Sequence, residues 1–462
     1  MKQFVYPLEK YREDDIDIAA IRILMERHER FAEKLRKNKM YYDGKHRITE
    51  KSRTTGAPNE KVVCNHAKDI ADTASGYFMG NPVTYRAADN EDISQLLKTF
   101  KMAYTDDTDA ELALELSISG VAYEYLYMKD GIIHSKPLNP IHTFIVVDDT
   151  IEENILFGVY YWKKKDDVSG MYIWKVTVAT EHFLYTMSLQ SDTAGNWTDR
   201  GKEAPKEHRL SGVPIIEYLN NKFGMGDYEQ QIPLIDAYNT LMSDRINDKE
   251  QFVDALLVLY GASLADDEEE AREAAQVLRE NKMLELPEGS RAEYLLRTFD
   301  EEGIETLRKA LKEDIYTFSH VPNLTDENFS GNSSGVAMEF KLLGLEMLTK
   351  IKTRYYKKGL RQRFRLFCNV LRMKNINIEP ESIVADFPRT LPKNLLELSQ
   401  VIQNLRDDVS AKTLIRLLPF VEDPDGELSE VEKQKKKQLE EQKLMFGVQP
   451  NDTDGDLQDE EE

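Results

Sequence analysis

The residues of this chain with reactive side chains are few, and their spacing suits little chemistry. Cys64 and His66 form a C-x-H pair, part of a zinc ligand set. A zinc site needs three or four ligands at matched spacing, and no further Cys or His falls nearby. Cys368 lies far along the chain, so both cysteines read as small buried hydrophobes rather than a disulfide. Carboxylates cluster at Asp106-Asp107, Asp148-Asp149 and the run Asp266, Asp267, Glu268, Glu269 and Glu270. Two-metal cleavage of a phosphodiester needs carboxylates that converge from separate elements. Adjacent carboxylates on loops or at helix starts usually serve hydration or a helix N-terminus. A metal-dependent nuclease is the enzyme alternative these clusters leave open, and it predicts metal-sensitive cleavage of DNA. Gly331 and Gly335 are not followed by the Lys-Ser/Thr of a phosphate-binding loop, so an ATPase is not expected. The motifs G-x-S-x-G, H-E-x-x-H and C-x-x-C are absent, and the eight histidines are scattered. The expectation is a protein that is not an enzyme and takes no cofactor or metal.

The elements that would position these residues fall into an α+β pattern. Apolar residues at helical spacing predict helices over about 15–42, 62–79, 91–100 and 107–119. From Val121 the period changes to two, and Asp130-Gly131 predicts a hairpin turn. Further strands are expected at Thr143–Val147, Leu156–Lys163, Met171–Ala179 and His182–Leu189, with polar loop at Lys202–His208. A long helix over Ile232–Leu257, whose end blends into an apolar run at Ala255–Tyr260 that could be a strand, and a second helix over Glu301–His320 bracket a small insert. The insert is expected to hold a helix over Asp267–Asn281 and strands at Met283–Leu286 and Arg291–Arg297. Ile304, Leu307, Leu311, Ile315 and Phe318 line one face of the second helix, which therefore needs a partner surface. After a Gly/Ser/Asn-rich loop, a very long helix is expected from Val336 to Met373, with Gly344 and Gly359 as weak points. Its later part is basic: Lys350, Lys352, Arg354, Lys357, Lys358, Arg361, Arg363 and Arg365. A short strand pair (Ile376–Ile378 and Ile383–Phe387) and helices over Lys393–Leu405, Ala411–Leu418 and Glu427–Lys443 complete the reading.

With 462 residues the chain is too long for one small core, and its net charge of -22 argues against a static DNA clamp. No apolar stretch is long enough to cross a membrane, and the first residues lack a signal-peptide core, so the protein is expected in the cytoplasm. Neither bracketing helix is apolar all round, so each needs a partner surface, which its mate or a neighbouring subunit could supply.

Three stretches carry a family resemblance. Pro233-Leu234-Ile235-Asp236-Ala237-Tyr238-Asn239 continues through Ser243-Asp244 and Asn247-Asp248 to Phe252–Leu259. Ile315–Pro322 is followed by Asn328-Phe329-Ser330-Gly331-Asn332-Ser333-Ser334-Gly335-Val336-Ala337. Asn81-Pro82-Val83 follows an early helix. In this order, over about 15–420, the chain resembles the portal proteins of tailed phages with long non-contractile tails, the kind found in phages of Gram-positive bacteria. The resemblance implies a ring, usually a dodecamer, at one capsid vertex, and a virion protein assembled in the host cytoplasm.

It also implies a portal fold: a mixed α/β wing (1–228 with 336–390), a helical stem (229–256 and 300–321), a small α/β clip (257–299), a tunnel loop (322–335), a helical crown (391–446) and an acidic tail (447–462) expected to be disordered. Double-stranded DNA would pass Leu324, Asp326, Glu327, Asn328, Phe329, Ser330, Asn332 and Ser333 of the tunnel loop. An acidic wall there would repel phosphate and keep DNA from sticking. The clip, with Asp266–Glu270 and Lys282, would meet the terminase large subunit and later the head–tail adaptor. Lys350, Arg354, Arg361 and Arg365 would contact neighbouring subunits, with a DNA-facing patch as the alternative. Major capsid and scaffolding proteins are the remaining implied partners, with no membrane. The structural alternative is another head or adaptor protein, which would lack the helix–insert–helix excursion.

Overall fold

A computed structural model describes residues 4–52, 58–88, 92–167, 169–192, 196–253, 256–260, 272, 276, 289–295, 300–324, 335–389, 395–418, 421 and 424–445. The chain divides into two compact units, 1–332 with 338–390 and 333–337 with 391–462. Among the described residues, no helix is long and apolar enough to cross a membrane.

The first unit opens with α1 (Ile18–Tyr42), whose start is capped by the Asp17 carboxylate accepting from Ala19 N at 2.9 Å. Its buried stripe, Ile21, Leu24 and Met25, packs on one face of a sheet. That sheet runs β4 (Thr143–Val147), β5 (Ile155–Lys165), β6 (Tyr172–Ala179), β7 (Phe183–Ser191) and β8 (Trp197–Lys202), with β9 (Lys206–Glu207) also pairing β7. Phe144, Phe157, Trp174, Val176 and Tyr185 fill the space between them. One polar cluster lies inside this core. The Tyr161 hydroxyl donates to Glu29 Oε1 at 2.7 Å, so His28 Nδ1, 2.8 Å from that hydroxyl, must be its donor. Burial pushes the His28 pKa down to about 3 and keeps the ring neutral.

A second core gathers α2 (His66–Met79), α3 (Ser94–Met102), α4 (Thr105–Ser119) and the hairpin β2 (Val121–Lys129)–β3 (Ile132–Leu138). Asp130 and Gly131 both take positive φ (52° and 74°), the mirror-image turn expected between these strands. β10 (Ile215–Leu219) adds to the free side of β2. Across this sheet runs α8 (Leu343–Arg372), preceded by the short α7 (Gly335–Lys341). Leu360, Phe364 and Phe367 of α8 belong to the same core as Phe78, Leu112 and Tyr218.

Several expectations need correction. The strand pair 376–378 with 383–387 does not form. β13 (Ile383–Asp386) instead pairs antiparallel with β1 (Thr84–Ala87), from the other end of the unit. β1, β8, β9 and β10 were not foreseen, because short strands whose partners lie far along the chain leave little local periodicity. The long helix is interrupted at Leu342, close to Gly344, yet the hydrogen bonds Leu342 N to Met338 O and Glu346 N to Leu342 O carry on across the break. Gly359 is no weak point. A Cβ there would lie 2.5 Å from the Tyr218 ring and 3.0 Å from Glu217 O, so the glycine allows α8 to lie directly on β10.

The basic run on α8 is not one surface stripe either. Lys352 is buried, its Nζ 2.7 Å from Asp227 Oδ2 and 2.9 Å from Ser117 Oγ. Arg363 is fully buried between two helices and a strand. Its Nε donates to Glu124 Oε2 on β2 at 2.9 Å, and its Nη2 makes a close ion pair with Asp109 Oδ1 on α4 at 2.6 Å. The hydroxyls of Tyr356, Tyr218 and Ser135 each donate to one of these carboxylates at 2.6 Å.

In the second unit, α9 (Leu395–Leu405) is followed by α10 (Ala411–Ile415), which packs on α11 (Pro424–Met445). The Ser410 hydroxyl caps α10 by accepting from Thr413 N at 3.4 Å. The tail read from the sequence, 447–462, lies outside the described residues.

Two outcomes follow. Replacing Arg363 with Met strands two buried carboxylates without a counter-ion and should cost about 3–5 kcal/mol in denaturant unfolding. Gly359→Ala should gain helix propensity yet lose about 1–3 kcal/mol net from overpacking against Tyr218. A stability equal to or above that of the unaltered chain would refute the close-approach account.

Candidate functional site

The feature that stands apart from the two cores is a pair of long helices. α5 (Ile232–Val253) leads into β11 (Leu256–Tyr260). β11 pairs antiparallel with β12 (Arg291–Leu295), and α6 (Glu301–Ser319) returns. The helices are antiparallel, since the last turns of α5 meet the first turns of α6. Arg245 reaches Glu301 Oε1 at 2.6 Å and Glu305 Oε2 at 3.0 Å, and Lys249 joins Glu301 at 3.0 Å. Arg308 Nη2 holds Glu305 from the other side at 2.6 Å. Hydrogen bonds from Arg308 and Arg245 pull the Glu305 pKa down to about 2.

Another face of α5 is anchored by polar side chains, over the same stretch of helix that carries Arg245. Asn239, Ser243 and Asn247 stand four residues apart on one face of α5. Each accepts from every second backbone N–H of an extended strap: Cys64 N to Asn239 Oδ1 at 2.8 Å, Val62 N to Ser243 Oγ at 3.0 Å and Glu60 N to Asn247 Oδ1 at 2.6 Å. Asn247 Nδ2 also donates back to Glu60 O at 3.1 Å. The match is geometric. Four residues of helix rise about 6 Å and two residues of extended chain about 6.6 Å, so the ladder stays in step. On α6, Tyr316 donates to Asp69 Oδ2 of α2 at 2.6 Å. His66 Nδ1 lies 3.2 Å from the same hydroxyl, and burial lowers the His66 pKa to about 4. His66 of the C-x-H pair is thus committed to aromatic packing with Tyr238 and Tyr316. Among the described residues no group of three or more His, Cys, Asp or Glu is placed to hold a metal ion.

The outer faces of the pair carry apolar side chains that are exposed among the described residues. Of the face expected on α6, Ile315 is buried, but Leu307 is 49 % and Phe318 61 % exposed. Leu307 and Leu311 join Leu241 of α5 and Ile48 in an open hollow of about 870 Å3, rimmed by Arg47 and Lys51.

The positions singled out from the sequence fall into three groups. Leu324 is exposed just beyond α6. Asp326, Glu327, Asn328, Phe329, Ser330, Asn332 and Ser333 lie outside the described residues, as do Asp266–Glu270, Lys282, the insert's first strand and, apart from the helical Arg272 and Gln276, its helix. Lys350, Arg354, Arg361 and Arg365 are exposed and share one face of α8. The Asn239–Ser243–Asn247 ladder was not foreseen as a unit, although a polar residue at every fourth position of an otherwise amphipathic helix is the signal that marks it.

Comparison with known proteins follows this layout. The family described as "Phage portal protein, SPP1 Gp6-like" matches residues 21–443. The portal protein of Bacillus phage SPP1 is 24% identical over 463 aligned positions, covering 95% of this chain and 90% of that protein. The portal protein of Clostridium phage phiCD119 is 21% identical over 442 positions, covering 88% and 92%. A solved structure titled "Virion of native gene transfer agent (GTA) particle" aligns at 10% identity with a TM-score of 0.45, over 76% of this chain and 89% of that one.

The Glu305 cluster has a pH signature. Glu305 is depressed from an ordinary 4.5 to about 2, so its stabilising effect is complete above pH 4.5 and is lost as the pH falls towards 2. The melting-temperature gap between the unaltered chain and Glu305→Gln should therefore be constant from pH 7 to 5 and shrink below 4.5. A gap that persists unchanged in strong acid would contradict the pairing.

Proposed function

This chain belongs to the SPP1 Gp6-like family of phage portal proteins, and on that premise we propose that its copies close into a dodecameric ring at one capsid vertex, with double-stranded DNA passing through the centre during packaging and ejection. The portal role places the protein in the virion. The observation that carries the ring reading is the α5–α6 pair. It is an antiparallel excursion tied to the strap and, near its base, to α2; it leads into the paired strands β11 and β12, and its Leu307 and Phe318 are exposed among the described residues. Side-by-side packing of such pairs around an axis would cover those faces and leave a channel.

On this reading 1–228 and 336–390 form the wing, 229–256 and 300–321 the stem, 257–299 the clip and 391–446 the crown. The loop 322–335, with Leu324, Asp326, Glu327, Asn328, Phe329, Ser330, Asn332 and Ser333, narrows the tunnel, and its carboxylates favour sliding over sticking. The clip, with Asp266–Glu270 and Lys282, presents the docking surface for the terminase large subunit during packaging and for the head–tail adaptor afterwards. The wing faces the major capsid and scaffolding proteins, and assembly takes place in the host cytoplasm. Lys350, Arg354, Arg361 and Arg365 meet an adjacent subunit.

Negative-stain electron microscopy of the purified full chain, with light scattering for mass, tests the reading. Closed rings of about a dozen subunits with a central hole are expected for a cyclic assembly. A monomer that persists at every protein concentration and ionic strength would overturn it.

A further inference from the structure

Beside α8 lies a groove of about 470 Å3 that the ring reading leaves without an occupant. Its floor is apolar: Leu360 and Phe364 of α8 and Ile383 and Ala385 of β13. Its rim is cationic, with Lys357, Arg361 and Arg365 along the helix. Glu381 is also on the rim and pairs with Arg365 at 3.4 Å. Between Glu346 and Glu379 the sequence has no carboxylate at all. Among the described residues, Lys357 and Arg361 face no carboxylate within ion-pair reach, although Lys357 lies over the Phe387 ring. Three cations and one carboxylate line this groove, in a chain of net charge -22.

The complementary shape sits on the same chain. The turn between β4 and β5 presents Ile151 fully exposed, flanked by Asp149, Glu152 and Glu153. The turn is built to hold that side chain outward. Buried Asp148 accepts from Thr150 N at 3.1 Å, Thr150 Oγ1 at 2.6 Å, Asn154 N at 3.2 Å and Asn154 Nδ2 at 3.1 Å. Asp149 Oδ1 takes Leu8 N at 3.0 Å. The turn and the groove lie against different flanks of α8. Tyr355, Lys358 and Gln362 face a separate hollow that Val147 and Ile155, at either end of the turn, also line. Lys357, Arg361 and Arg365 face the groove. A knob on one flank and a hole on the other make a head-to-tail contact, which closes into a ring when the rotation permits.

We propose that Ile151 of one copy seats in the α8–β13 groove of the next, with the acidic turn around it meeting Lys357, Arg361 and Arg365. This deepens the ring reading and rests on it: it names what the neighbouring subunit brings to the basic face of α8. Seating one isoleucine in an apolar pocket corresponds to roughly a tenfold gain or more in association per contact. Because Ile151 packs on nothing within its own chain, Ile151→Asp should leave the melting temperature of the subunit unchanged while lowering the ring fraction at least about tenfold. Lys357→Glu combined with Arg361→Glu should do the same.

The decisive measurement is cross-linking of the full chain carrying both I151C and E381C. Under oxidising conditions it should give a ladder of covalent multimers on a non-reducing gel. Chains with one substitution each should give only dimers when mixed, and neither alone should cross-link beyond the level set by Cys64 and Cys368. If the unaltered chain forms no ring, the ring reading itself fails. If rings form but the double variant gives no ladder, or I151D rings assemble as well as unaltered ones, this contact is wrong while the ring reading stands.

Discussion

The buried guanidinium of Arg363 is the constraint around which the first unit is arranged. A charge at this depth is tolerated only when its partners are fixed in advance. Here they come from two separate elements, Asp109 of α4 and Glu124 of β2, and the hydroxyls of Tyr218, Tyr356 and Ser135 occupy further acceptor positions on the same carboxylates. Such a set works in only one register of α8 against the sheet. Gly359, one turn earlier, lets the helix come close enough to β10 for the contacts to form. The network is therefore better understood as fixing the position of α8 than as a large net source of stability.

That position decides what α8 shows to the outside. Residues two apart on a helix point in nearly opposite directions. With Arg363 directed inward, Arg361 and Arg365 are turned outward, and Lys357 falls on the same outer face. Lys352, buried against Asp227 and Ser117, does the same for Lys350 and Arg354. The exposed cationic face and the groove beside it thus follow from two buried cations that share its sequence run.

The helix pair depends on a different device. The strap cannot pair as a strand, because a helix offers it no free backbone groups. Asn239, Ser243 and Asn247 supply side-chain acceptors at the strap's own repeat instead. This ties α5, over residues 239–247, to the segment before α2, while ion pairs from Arg245 across to α6 keep the two helices in register along the same stretch. The result is an arm held by polar contacts along its length, with Leu307 and Phe318 exposed among the described residues. On the ring reading, those two side chains complete their packing in the assembly.

Local pattern was enough for much of this. Amphipathic spacing marked α1, α5, α6 and α8, alternation and the Asp130-Gly131 turn marked the β2–β3 hairpin, and the order helix, insert, helix, loop, long helix pointed to the portal family. These features depend on neighbours a few residues away, which is the range over which helical and strand periodicity and turn chemistry act. The rest was decided only by tertiary structure. Whether Arg363 belongs to a surface stripe or to the core depends on Asp109 and Glu124, which no local spacing relates to it. β13 takes β1 rather than the adjacent 376–378 segment because strand pairing depends on long-range packing. Ile151 could be recognised as a knob only after Asp148 was seen holding its turn open to solvent. Residue types and periodicity determine which elements form. The burial of charges and the pairing of short strands depend on contacts between distant residues, and only the folded chain brings those together.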